Sequence, residues 1–120
     1  MSATALIVGA GSGISASFAR AAKSQGYNIV LASRTPANVA EFAAEIGAVT
    51  HACDATQPDQ VTELFAAADA SGTDIDIVLY NASARAPGPV TDLDPAAVAR
   101  SLAISAYGGF LVGQQAAQRM

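Results

Sequence analysis

Three glycines stand two apart after the first apolar run: Gly9, Gly11 and Gly13 in Ala5-Leu6-Ile7-Val8-Gly9-Ala10-Gly11-Ser12-Gly13-Ile14-Ser15. A turn without side chains leaves backbone N–H groups open to an anion. A helix starting just after it aims its positive end at the same point. Such a turn can cradle a phosphate or a pyrophosphate. The chain has no Gly-Lys-Ser/Thr, which excludes the phosphate loop of nucleoside-triphosphate hydrolases. Nor does it follow Gly-x-Gly-x-x-Gly, because the sixth residue from Gly9 is Ile14; the spacing is Gly9-x-x-x-Gly13-Ile14.

A second group follows the second apolar run. Ser33-Arg34 stands there with no acid nearby. Dinucleotide folds that select NAD place an acid at this point for the ribose 2′-hydroxyl, whereas an Arg accommodates a 2′-phosphate. A planar guanidinium beside a hydroxyl suits a phosphate monoester. Ser33 and Arg34 therefore point to NADP(H) over NAD(H). The missing acid also weakens a methyltransferase reading, the third alternative. Other reactive side chains are isolated. Cys53 is the only cysteine and His51 the only histidine, so neither a disulfide, a metal set nor a triad is expected. Cys53 is expected in the core, and His51 on a strand with a local hydrogen bond. Arg85 stands beside a Pro87-Gly88-Pro89 loop and reads as solvated, or as a contact for an anionic substrate.

These residues need a frame. Residues 4–9 form an apolar run, as does a strand covered on both faces. Ile14, Phe18, Ala21 and Ala22 have helical spacing, and Gly26 closes that helix. Residues 28–32 read as a second strand. Thr35-Pro36 reads as an N-cap with proline in the first turn, then a stripe of Val39, Phe42, Ala43 and Ile46 ending at Gly47. Residues 48–53 are a third strand. Thr56 and Pro58 open a helix striped by Val61, Leu64, Phe65 and Ala68, ending near Gly72. Residues 76–80 are a fourth strand. Asp94-Pro95 caps a last helical region, with Gly108-Gly109 as a break. Strict alternation implies a parallel α/β sheet with right-handed crossovers. The expected fold is Rossmann-like and doubly wound, with strand order 3-2-1-4. Its switch point falls at Gly9–Gly13.

The bulk properties agree with one domain over residues 1–120. The chain is 52% apolar, 13% charged and carries a formal charge of −4. This composition argues against disorder, and the scattered cations against a nucleic-acid partner. No uninterrupted apolar run reaches membrane-spanning length, and no cation precedes the first apolar segment as in a signal peptide. A cytoplasmic setting and no membrane partner are expected.

With these pieces together, the chain resembles the N-terminal part of a short-chain dehydrogenase/reductase. Gly9 to Ser15 is similar to that family's Thr-Gly-x-x-x-Gly-Ile-Gly loop, which implies Gly9, Gly11, Ser12, Gly13 and Ile14 at the cofactor. Asp54-Ala55-Thr56 resembles the Asp-Val/Leu-Thr step, implying an adenine contact for Asp54 with Ala55 beside it. Tyr80-Asn81-Ala82-Ser83 resembles Asn-Asn-Ala-Gly, implying Asn81, Ala82 and Ser83 on the nicotinamide-ribose side. Residues 108–120 resemble the family's long helix. Val8, Ser15, Tyr80 and Ser83 depart from the motifs, and Ser105 stands where the family carries a relay Asn. The family's chemistry uses a Ser and a Tyr-x-x-x-Lys pair. Here Tyr27, Tyr80 and Tyr107 are followed four residues on by Leu31, Ala84 and Leu111, and Lys23 is the only lysine. No catalytic residue is expected in this chain beyond Ser105 at the position of the relay Asn, where its reach and geometry differ from an amide's.

The resemblance implies an oxidoreductase acting on a ketone or secondary alcohol as a small-molecule substrate, and Ser33-Arg34 adds the preference for NADP(H). This chain would be its cofactor-binding half, truncated after the helix following strand four and inactive alone. The alternative is an inactive dinucleotide-binding or oligomerising module. A homo-oligomer through the last helix is implied, with Leu102, Ala106, Phe110 and Ala117 as a sticky face.

Overall fold

The structure is a computed structural model that describes residues 3–120. Four strands form one parallel sheet: β1 (Thr4–Val8), β2 (Asn28–Ser33), β3 (Val49–Ala52) and β4 (Ile75–Tyr80), in the order β3-β2-β1-β4. The expected topology holds. All five residues of β1 are buried, as a central strand covered on both faces requires. Successive side chains point to opposite faces. Leu6 and Val8 join one core with Val61, Leu64, Phe65, Leu111 and Val112. Ala5 and Ile7 join the other with Ala19, Ala22 and Ala43.

The helices are α1 (Ile14–Ser24), α2 (Ala40–Ile46), α3 (Pro58–Asp69), α4 (Pro95–Leu102) and α5 (Gly108–Arg119). Gly26 and Gly47 have φ of +92° and +69°, the left-handed geometry that ends helices. Asp94 caps α4 by accepting from the Ala96 N–H at 3.4 Å.

Four local expectations need correction. The buried face of α1 is Ser15, Ala16, Ala19 and Ala22, while Ile14 is 70% exposed and Ala21 is exposed. The face is rotated because the helix lies close to the sheet, and only small residues fit underneath. Thr35 makes no side-chain cap; a 3₁₀ turn over Pro36–Val39 precedes α2. His51 is half-buried on β3, and its ring makes no hydrogen bond among the described residues. Gly108-Gly109 is no break, since the helix runs on from α4 through a π-helical turn at Ala103–Tyr107 into α5. A Cβ at Gly108 would collide with the Tyr80 hydroxyl and lie 3.1 Å from the Ala55 carbonyl oxygen. Glycine there lets the helix approach β4.

Pro95–Arg119 is thus a continuous helical run of 25 residues, long and apolar enough by length and composition to cross a membrane. Its inner face instead packs on the sheet through Gly108, Leu111 and Val112. Arg119 ties its end to α3 with a forked bond to Asp69, 2.7 Å at the shortest.

Candidate cofactor site

The carboxyl ends of all four strands converge on a cleft of about 310 Å³. It gathers Gly9 from the end of β1, Ser33 and Arg34 from β2, Asp54 and Ala55 from β3, and Asn81, Ala82 and Ser83 from β4. A second hollow, of about 360 Å³, adjoins it and is lined by Gly11, Ser12 and Gly13 with Arg20 and Phe42. Asn38 lines both. Eleven of the twelve expected cofactor residues therefore line one hollow or the other. Ile14 lines neither, and its side chain is largely exposed. A further hollow, about 710 Å³, lies at the opposite end of β4 between Asp74, Asp76 and Arg119, away from these residues.

The glycine loop is held from below. The N–H groups of Gly9 and Ala10 both donate to the Ala32 carbonyl, each at 3.0 Å. Gly9 has φ of +85°, and a Cβ there would run into the backbone of Ala82. Gly9 is thus fixed by chain geometry and by the close approach of the β4 end. Gly11 differs: its φ is ordinary, and a Cβ would meet nothing within 4 Å. The fold does not require glycine at position 11. The N–H groups of Gly11, Ser12, Gly13 and Ile14 have no acceptor among the described residues. An open turn, free donors and the N-terminus of α1 together fit a pyrophosphate.

At the end of β3, Asp54 is organised by its neighbours. Thr56 donates its hydroxyl at 2.7 Å and its N–H at 3.0 Å to Oδ1. The Asp54 N–H donates to Gln60 Oε1 at 2.8 Å. The two Thr56 bonds, the hydroxyl first, hold the carboxyl below its ordinary range, with help from the fields of Arg100 and Arg34. Cys53, next to it, is buried, and its thiol is pushed up to about 11 by desolvation and then by the Asp54 and Glu63 charges. It is a neutral core thiol, as expected.

The β4 end is tied to its surroundings on both sides. The Asn81 N–H donates to the Val8 carbonyl at 2.8 Å, and its Nδ2 donates to Ser15 Oγ at 3.0 Å. The Tyr80 hydroxyl donates to the Ile104 carbonyl in the π-helical turn. Ser105 donates to the Ala84 carbonyl and accepts from the Ala84 N–H, both at 3.1 Å. Its single proton is therefore committed to the loop after β4. Tyr80 and Ser105 together hold the helix so that Ile104 lines the cleft.

Sequence reasoning missed Asn38, Thr35, Thr56, Ala84 and Ile104, all of which line the cleft. Asn38 had a readable signal, being a polar residue one turn beyond Arg34. Ile104 had none, because only the π-helical turn brings it over the site.

The family model described as enoyl-(acyl carrier protein) reductase matches residues 9–120. The chain belongs to the short-chain dehydrogenase/reductase family. A curated member, dehydrogenase/reductase SDR family member 11 of Bos taurus, is 32% identical over 90 residues, which are 69% of this chain and 35% of that protein. A short-chain dehydrogenase/reductase from Mycobacterium marinum is 30% identical, with a TM-score of 0.91 over 98% of this chain and 49% of that one. The chain thus spans about a third to a half of these family members. Two more distant structures, both 24% identical with a TM-score of 0.89, share the fold. They are a Brucella melitensis 3-ketoacyl-(acyl-carrier-protein) reductase complexed with NADH, covering 98% of this chain and 49% of that one, and an actinorhodin polyketide ketoreductase with NADPH, covering 95% and 46%.

Proposed function

We propose that this chain binds NADP(H) and forms the cofactor half of an oxidoreductase acting on a ketone or secondary alcohol. The observation that carries the reading is the cleft itself. It brings Gly9, Arg34, Asp54 and Asn81 from four strand ends to one place at the switch point. The two relatives with bound cofactor hold NADH in one case and NADPH in the other, so the fold alone does not choose between them. Arg34 supports NADP(H). It lines the cleft at the end of β2, where a 2′-phosphate would replace the ribose hydroxyl. Asn38 adds a polar side chain beside it.

The chain's own residues bind and orient. The free N–H groups from Gly11 to Ile14 would meet the pyrophosphate, Asp54 the adenine, and Asn81 the second nucleoside. When bound, the nicotinamide would supply the hydride chemistry. No Tyr-x-x-x-Lys occurs in these 120 residues, so the chain alone is expected to bind cofactor without turnover. Titration of NADPH and NADH against wild type and Arg34→Ala tests the reading. Arg34→Ala should weaken NADPH about tenfold or more, the scale of a charge-assisted hydrogen bond, and leave NADH unchanged. An unchanged NADPH/NADH ratio removes the assignment.

A second reading, an inactive module that assembles through its last helix, is favoured by the exposed face of α4 and α5. Leu102, Ala106, Phe110 and Ala117 are all exposed there.

A further inference from the structure

Ser15 is a departure from the family loop and one of two fully buried polar residues among those described, at 1% exposure. Its hydroxyl donates to the Gly9 carbonyl at 3.2 Å and accepts from Asn81 Nδ2 at 3.0 Å. We infer that Ser15 is a positioning residue: its hydroxyl orients the Asn81 carboxamide so that Oδ1 is offered to a ribose hydroxyl on the β4 side of the cleft. This rests on the dinucleotide reading above.

The orientation follows from donor counting. A hydroxyl has one proton, and the Gly9 carbonyl can only accept. With that proton given to Gly9, Ser15 keeps lone pairs alone for Asn81. The carboxamide must then turn its NH₂ group inward, which leaves Oδ1 to the cleft that Asn81 lines. The backbone of Asn81 is fixed as well, through its N–H to Val8. A glycine at position 15 would leave the amide free to flip and the Gly9 carbonyl without this partner. The choice of ribose follows from strand order. The phosphate cradle sits at the end of β1, and Arg34 and Asp54 hold one nucleoside over β2 and β3. The second nucleoside then lies over β4, where a ribose hydroxyl is the donor Oδ1 can accept.

The test uses NADPH and its adenosine half, 2′,5′-ADP, on wild type, Ser15→Ala, Asn81→Ala and the double variant. Ser15→Ala should weaken NADPH about tenfold, the worth of one oriented hydrogen bond, and leave 2′,5′-ADP unchanged. In the Asn81→Ala background, Ser15→Ala should cost nothing more. Equal loss of both ligands would mean general damage to the loop and would overturn the role; so would additive losses. Nuclear magnetic resonance of the free protein gives a ligand-independent check. The Asn81 side-chain amide pair should shift on Ser15→Ala, and an unmoved pair overturns the proposal. A wild type that binds neither ligand removes the dinucleotide reading and this role with it. Wild-type NADPH binding that Ser15→Ala leaves intact removes the Ser15 role alone.

Discussion

Cys53 and Asp54 are neighbours in the chain with opposite titration behaviour. The Cys53 thiol sits in the core and is pushed up from 9.0 to about 11, chiefly by desolvation. A raised folded-state pKa means that the unfolded chain loses its proton first as pH rises. The stability from the neutral thiol is whole below pH 9.0 and fades towards 11, a loss on the order of 2 kcal/mol. Unfolding free energies measured from pH 8 upward should fall more steeply in wild type than in Cys53→Ala, and parallel slopes would refute this. Asp54 runs the other way. Its pKa is lowered by the Thr56 bonds, so its contribution is present above the ordinary carboxylate range and disappears as pH falls through the folded value. Thr56→Val removes the strongest of these bonds. It should raise the Asp54 pKa in a carboxyl titration and flatten the acid limb of the stability curve.

Among the elements, the glycine loop separates two requirements that look alike in the sequence. Gly9→Ala would place a Cβ against Ala82 at positive φ and should cost about 2 kcal/mol or more. Gly11→Ala meets open space and should change stability by about 0.5 kcal/mol or less while weakening NADPH. Equal stability losses for the two variants would place the reason for Gly11 inside the fold. The same contrast explains what was legible beforehand. β1 was readable because a fully covered strand is apolar throughout, and the place of Arg34 at the cleft because it directly follows the second apolar run. The inner face of α1 was misread. Periodicity marks large residues, whereas close packing beneath α1 selects Ser15 and the alanines. Gly108 reads as a break in the sequence because its purpose, room for Tyr80, exists only once β4 and α5 are docked. Asn38 and Ile104 reached the cleft through a 3₁₀ turn and a π-helical turn, neither of which has a hydrophobic period to detect.

For the molecule as a whole, the outer surface of α4 and α5 is its most apolar exposed helical face. Leu102 is 62% exposed and Phe110 58%, and Tyr107 stacks on Phe110 with centroids 6.5 Å apart. Ala106 and Ala117 continue the same surface. β4 forms one edge of the sheet with half-buried Ile77, Val78 and Leu79. Contiguous apolar surface of this kind drives association, and an unpaired parallel edge adds open backbone donors and acceptors. The 120-residue chain is therefore expected to self-associate, with a sedimentation coefficient and a melting temperature that rise with concentration. Leu102→Gln with Phe110→Gln should shift it towards monomer without lowering the stability of that monomer, because neither side chain is in the core. The edge is the control: if the double variant associates as strongly as wild type, the sheet edge and not the helix face drives assembly. A concentration-independent, sharp and reversible melt of a wild-type monomer would rule out both.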